Sequence, residues 1–202
     1  MGTNRFQADV DKRAADGRPK GHNIVLVGLP GAGKSSVGKR LASRLGLPFV
    51  DADTQIEAAA GMSIPDIFAF HGEAAFREGE TRVIARLLRE GPQVIATGGG
   101  AFMSEATREE IAARGVSVWL DASNEVLLAR ITKRNHRPLF QGVDPKTKLK
   151  ELRAARDPVF ATADLRIASS AGPHDRVVHR IAKALKTRGH LQARARVGNP
   201  PC

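Results

Sequence analysis

Residues 28–35 read Gly-Leu-Pro-Gly-Ala-Gly-Lys-Ser, a complete G-x-x-x-x-G-K-S loop. It follows the apolar, β-branched stretch Asn23-Ile24-Val25-Leu26-Val27 and precedes 36–45, where apolar residues recur at helical spacing. A buried parallel strand running through such a loop into a helix is the context in which the motif cradles phosphate. Gly28, Gly31 and Gly33 permit backbone angles closed to other residues and let the chain come close to an anion. Successive N–H groups then form a concave nest at a helix N-terminus. Lys34 is placed to reach the β- and γ-phosphates of a triphosphate and Ser35 to offer a hydroxyl to Mg²⁺. The loop residues expected to meet nucleotide are Gly28, Gly31, Ala32, Gly33, Lys34, Ser35 and Ser36. Kinases, GTPases and ATPases all use such a loop, so the loop by itself does not choose the reaction.

The rest of the chain bounds the architecture. Its 202 residues suit one α/β domain with tails. No run of about 18 apolar residues is present, so no membrane span is expected, and the first ten residues lack the apolar core of a signal peptide. The single cysteine, Cys202, rules out an intrachain disulfide, which fits a reducing cytoplasm. Strand-like stretches fall at 24–27, 48–50, 93–96, 116–120 and 164–167. Helical stretches fall at 34–45, 53–60, 63–70, 73–89, 104–114, 123–134, 146–159 and 173–186. Five strands alternating with helices predict a doubly wound, five-stranded parallel sheet with helices on both faces, and ligands beyond the carboxyl ends of the strands. Residues 1–21 read as a disordered arm, 22–187 as the domain and 188–202 as a basic, disordered tail.

The net charge of +11 is unevenly placed: Arg176, Arg180, Lys183, Lys186, Arg188, Arg194 and Arg196 follow Asp175 with no acid among them. A nucleic-acid-binding tail is one reading. The absence of interleaved aromatics favours a last helix with a solvated basic face.

Four further constellations carry chemistry. In Phe49-Val50-Asp51-Ala52-Asp53 two carboxylates at a strand end can serve a magnesium-bound water and a substrate hydroxyl, although Asp53 also reads as a helix N-cap. In Phe76-Arg77-Glu78-Gly79-Glu80 a guanidinium can clamp a carboxylate; spacing alone favours a surface arginine paired with Glu80. In Val94-Ile95-Ala96-Thr97-Gly98-Gly99-Gly100-Ala101 a strand runs into three glycines, which predicts that a substrate ring or phosphate packs on bare backbone. The cationic stretch Arg130 to Gly142, broken by Pro138, reads as a mobile lid at about 131–146. A plain basic loop is the alternative.

Taken together, Gly-Leu-Pro-Gly-Ala-Gly-Lys-Ser, Asp-Ala-Asp, Ser-Ile-Pro-Asp-Ile-Phe, Gly-Glu-Ala-Ala-Phe-Arg, Thr-Gly-Gly-Gly-Ala and Arg-Pro-Leu, in this order, resemble the shikimate kinases over roughly residues 23–186. The resemblance implies a phosphate-loop fold like that of the nucleoside-monophosphate kinases. It also implies ATP and Mg²⁺ as cofactors and phosphorylation of the shikimate 3-hydroxyl, on the way to chorismate and the aromatic amino acids. It implies that Lys34 meets the phosphates, that Ser35 and, through water, Asp51 serve the metal, and that Asp53 binds the shikimate hydroxyls. Arg77 and Arg156 would clamp its carboxylate, Gly98, Gly99 and Gly100 would wall its pocket, Arg137 would act from the lid, and Arg130 would pack on adenine.

The chain departs from the family at Phe160, where a tyrosine is common, and at Gly79, where a bulkier residue is common. Gluconate kinase is the alternative of the same class, and a nucleic-acid-associated ATPase is the alternative of another. Shikimate and ATP are the expected partners, with no membrane or nucleic acid among them, and a monomer is the default.

Overall fold

The structure, a computed structural model, describes residues 22–132, 144–170 and 172–188. Five strands, β1 (Asn23–Val27), β2 (Phe49–Asp51), β3 (Val94–Ala96), β4 (Gly115–Ala122) and β5 (Leu165–Ser169), form one sheet in the order β2-β3-β1-β4-β5. Every pairing is parallel. β1 is buried at all five positions, as a central strand covered on both faces must be. The edge strand β5 alternates, burying Leu165, Ile167 and Ser169.

The helices are α1 (Lys34–Leu45), α2 (Ala52–Ala60), α3 (Ile64–Arg89), α4 (Glu105–Arg114), α5 (Asn124–Thr132), α6 (Pro145–Phe160) and α7 (His174–Thr187). A 3₁₀ turn, Ala101–Met103, precedes α4. α1 packs with α7, while α3, α4, α6 and the 3₁₀ turn form a second group. The stretches 63–70 and 73–89 join as α3 across a kink at Gly72, whose φ is 79°. The Ser63 hydroxyl caps α3 by accepting from the Asp66 N–H, with proline in the first turn as the sequence suggests.

Two expectations change. β4 runs from Gly115 to Ala122, longer than the apolar run, because Asp121 and Ala122 continue the ladder with β5. The N-cap of α2 is Asp51 and not Asp53: the Asp51 carboxylate accepts from the Asp53 N–H at 3.2 Å. β2 ends there, so Asp53 stands in the first helical turn.

The core gathers leucines, isoleucines and valines from all five strands. Phe160, 1% exposed, stacks between Phe102 and Trp119 with centroid distances of 6.2 and 5.9 Å. The stack is made by the ring, which this chain keeps at Phe160. α7 buries Val177, Val178, Ile181 and Leu185 and exposes Arg176, Arg180, Lys183 and Lys186. This is the solvated basic face that the sequence favours; Arg188 beyond it donates to the Asp164 carbonyl. Arg194, Arg196 and Cys202 lie outside the described residues, as do residues 1–21. Among the described residues no helix is long and apolar enough to cross a membrane.

Candidate active site

The phosphate loop stands at the carboxyl end of β1. Gly28, Gly31 and Gly33 have φ of 136°, 90° and 97°, in the region that side chains avoid. Gly33 is the N-cap of α1, and no side chain caps that helix. Its first-turn N–H groups therefore have no side-chain acceptor, the condition under which a helix start receives an anion. Lys34 is 9% exposed and folds back on the loop, donating to the carbonyls of Gly28 at 2.7 Å and Leu29 at 3.2 Å. The Ser35 hydroxyl donates to the Asp51 carboxylate at 2.7 Å. A hydroxyl and one carboxylate form a sparse, hard-oxygen donor set. It suits Mg²⁺, which keeps several waters and shares its remaining ligands with phosphate.

The second half of the site lies where β2, α3 and the Gly98–Gly100 turn meet. The three glycines each make room for a different neighbour. A carbon added to Gly98 would come within 2.8 Å of both Asp53 Oδ1 and Glu80 Oε1. One on Gly99 would come within 2.9 Å of Pro30, and one on Gly100 within 2.7 Å of Arg77 Nη1. The bare backbone is thus met by the protein's own carboxylates, phosphate-loop proline and arginine. The sequence expectation named a substrate at that place.

Arg77 donates to Glu80 at 2.7 Å and to Glu73 at 3.1 and 3.2 Å. Burial works against its charge, but the hydrogen bonds and charges of Glu80 and Glu73 prevail and hold its pKa above the usual value. Glu80 is 2% exposed, and its pKa is pushed up by burial against the opposing pull of Arg77. Its Oε1 is buried and has no hydrogen-bond partner among the described residues. Asp53 is likewise raised, by burial first and by the charge of Asp51 next, with Lys34 pulling the other way. Arg156, on α6, donates to the Gly99 carbonyl at 3.0 Å. Burial and the nearby Arg77 cation both lower its pKa.

Arg130 is pinned beneath the phosphate loop. Its Nη1 donates to the carbonyls of Gly31 and Ala32 and to the Ser169 hydroxyl, and its Nη2 to the Ser170 carbonyl. A planar guanidinium fixed at its edges leaves its face for an aromatic base. Among the described residues Ser36 takes part through its carbonyl, which accepts from Arg40 at 3.0 Å. Arg137 and most of the expected lid lie outside the described residues.

Comparison with known proteins decides the family. The family model described as shikimate kinase matches residues 30–186. This chain belongs to the shikimate kinase family. It is 57% identical over 169 residues to the shikimate kinase of Bradyrhizobium diazoefficiens, an alignment covering 84% of this chain and 81% of the relative. It is 55% identical over 167 residues to that of Paramagnetospirillum magneticum, covering 83% and 86%. Among solved structures, the Acinetobacter baumannii shikimate kinase in complex with shikimate superposes with a TM-score of 0.81. That pair is 36% identical, with 86% of this chain and 98% of the other covered.

Shikimate kinases are transferases that use ATP with Mg²⁺, so ATP, Mg²⁺ and shikimate are the ligands of the family to which these residues belong. The structure brings Lys34, Ser35, Asp51, Asp53, Arg77, Gly98, Gly99, Gly100, Arg130 and Arg156 to the carboxyl end of the sheet, around one phosphate loop. The residue that sequence reasoning undervalued is Glu80, taken there as a surface ion-pair partner. The signal was present in Phe76, Glu80 and Ile84, which repeat at four-residue spacing and share the buried face of α3.

Proposed function

We propose that this chain transfers the γ-phosphoryl group of ATP directly to the 3-hydroxyl of shikimate, giving shikimate 3-phosphate and ADP. The observation that carries the reading is the convergence of Asp53 and Glu80 on Gly98, between the phosphate loop and the arginine pair Arg77 and Arg156. Two carboxylates, one with an unpartnered buried oxygen, supply acceptors for hydroxyls. Two guanidinia a short way off supply the partner for a carboxylate. Shikimate carries both groups.

Asp53 fixes the acceptor hydroxyl and takes its proton late in the transfer. Glu80 holds Arg77 in place and accepts from a second hydroxyl. Arg77 and Arg156 supply binding energy remote from the reacting atom, which sets the ring in register. Lys34, now on loop carbonyls, exchanges these acceptors for phosphate oxygens. The resemblance assigns Arg137 to the same charge. Ser35 and Asp51 are the residues that would hold Mg²⁺, which would supply charge neutralisation to the phosphates. We place the reaction in the cytoplasm, a reading supported by the lone cysteine, which fits a reducing compartment.

The test is a coupled ADP-release assay with Mg-ATP and shikimate, gluconate or no acceptor. Shikimate-dependent turnover, absent with gluconate, is the expected result. ATP hydrolysis indifferent to both acceptors would leave the phosphate loop correct and the acceptor pocket misread.

A further inference from the structure

Arg156 stands in an awkward place. It is half-buried, faces the like charge of Arg77, and has no carboxylate within ion-pair distance among the described residues. Its hydrogen bond to the Gly99 carbonyl is a weak hold against that repulsion. Glu73 and Glu80 attract it from further off, and α6, the helix that carries it, fixes how near it comes to them.

α6 buries Leu149, Leu152 and Phe160. Apolar burial is non-directional and leaves a helix some freedom to rotate and slide. Directional ties come from Arg153, one turn before Arg156. Its Nη2 donates to the carbonyl of Ala122, the last residue of β4. The same nitrogen lies 3.5 Å from Asp121 on that strand end, and Nη1 donates to Asp157 within α6 at 2.8 Å. The side chain is mostly buried, so these bonds are little screened by water. A guanidinium fork bonded to both a fixed strand end and its own helix sets the rotation and height of that helix in a way that packing alone does not.

We propose that Arg153 is a positioning residue for the acceptor's carboxylate: by tying α6 to the end of β4 it determines where Arg156 stands. The inference rests on the reading of Arg156 as half of the carboxylate clamp. It predicts a defect confined to the acceptor side, because among the described residues Arg153 has no hydrogen bond or ion pair with the phosphate loop or Arg130.

The experiment measures kcat and both KM values for the full-length enzyme and for Arg153→Met, Arg153→Lys, Arg156→Met and Arg166→Met. Arg166 shares Asp121 with Arg153, at 2.7 Å, but lies on β5 and serves as the control. Arg153→Met should raise the KM for shikimate roughly five-fold, with kcat and the KM for ATP changed less than about two-fold. Arg153→Lys should recover part of the loss, and Arg166→Met should behave as the unaltered enzyme. With the carboxamide of shikimate as acceptor, Arg153→Met should no longer differ from the parent.

An unchanged shikimate KM in Arg153→Met overturns the proposal. So does a parallel loss in both KM values with a lowered Tm, which would mark general destabilisation. If Arg156→Met also leaves the shikimate KM unchanged, the clamp itself has been misread; if only Arg153→Met does, the clamp stands and the positioning role falls. Should Arg153→Met not fold, Asp121→Asn removes one of its partners and should show the same selective rise, smaller in size; no selective rise there overturns the proposal as well.

Discussion

Asp53 Oδ1 and Glu80 Oε1 converge on one point above Gly98, each 2.8 Å from where a side-chain carbon on that glycine would lie. They arrive from different helices, α2 and α3, so the spot exists only when both helices are seated.

A methyl group at that spot displaces both carboxylates. Gly98→Ala should therefore lose shikimate-dependent turnover while retaining nucleotide binding, since the phosphate loop does not contact this carbon. Calorimetric titration with ADP, beside the turnover assay, separates the two. Normal turnover in Gly98→Ala would mean that the convergence has no part in catalysis.

Asp53→Asn should keep the fold and bind nucleotide but lose turnover. Its stability should move the opposite way from its activity. A carboxyl whose pKa is raised on folding stabilises fully below its unfolded pKa and loses that contribution as pH rises through the folded value. As pH rises through that folded value the unaltered enzyme loses it, and asparagine, which cannot ionise, does not. Thermal melts should show Asp53→Asn gaining on the parent as pH rises from about 4, the ordinary aspartate range. A stability difference that does not grow with pH would contradict the raised pKa.

Arg77→Ala should do two things. It should raise the KM for shikimate, and it should leave the buried Glu80 carboxylate without its 2.7 Å partner. The second effect should lower stability by about 1–3 kcal/mol. Adding Glu80→Gln to Arg77→Ala should restore part of the stability in urea melts while the KM stays high. Recovery of both together would argue that Arg77 serves only the fold.

Gly79 faces a groove of about 310 Å³ lined by Ile56, Met62, Ile67 and Phe76 among others. A carbon added there meets nothing within 4 Å. Gly79→Ala should thus gain about 1 kcal/mol of stability from helix propensity and leave both KM values unaltered. A destabilised variant would show that the groove needs its open floor.

How far the sequence reveals the molecule depends on the distance over which each signal acts. The phosphate loop, the Ser63 cap and the strand order's five apolar runs are local, and each stands where the spacing puts it. The pairing of Asp53 with Glu80 is not local: they stand 27 positions apart, and only the packing of α2 against α3 brings them to Gly98. The glycine triplet shows the same limit. Three bare residues announce close approaches, but which groups approach is written in β2, α3 and the phosphate loop. The exchange of Asp51 for Asp53 at the cap of α2 arises because the helix begins at Ala52 with no loop after β2, so the last residue of the strand is also the cap. The position of Arg156 was carried by family resemblance alone; its own surroundings on α6 give no periodic hint of a site.

Trp119 is the sole tryptophan of the chain, which has no tyrosine. It packs beside Phe160, the last residue of α6, with the Arg166 guanidinium 4.6 Å from its ring. Nearly all near-ultraviolet emission of the enzyme therefore comes from one indole beside the end of the helix that carries Arg156. The molecule contains its own optical gauge of how that helix sits, readable without a label and at wavelengths where shikimate and nucleotide do not emit.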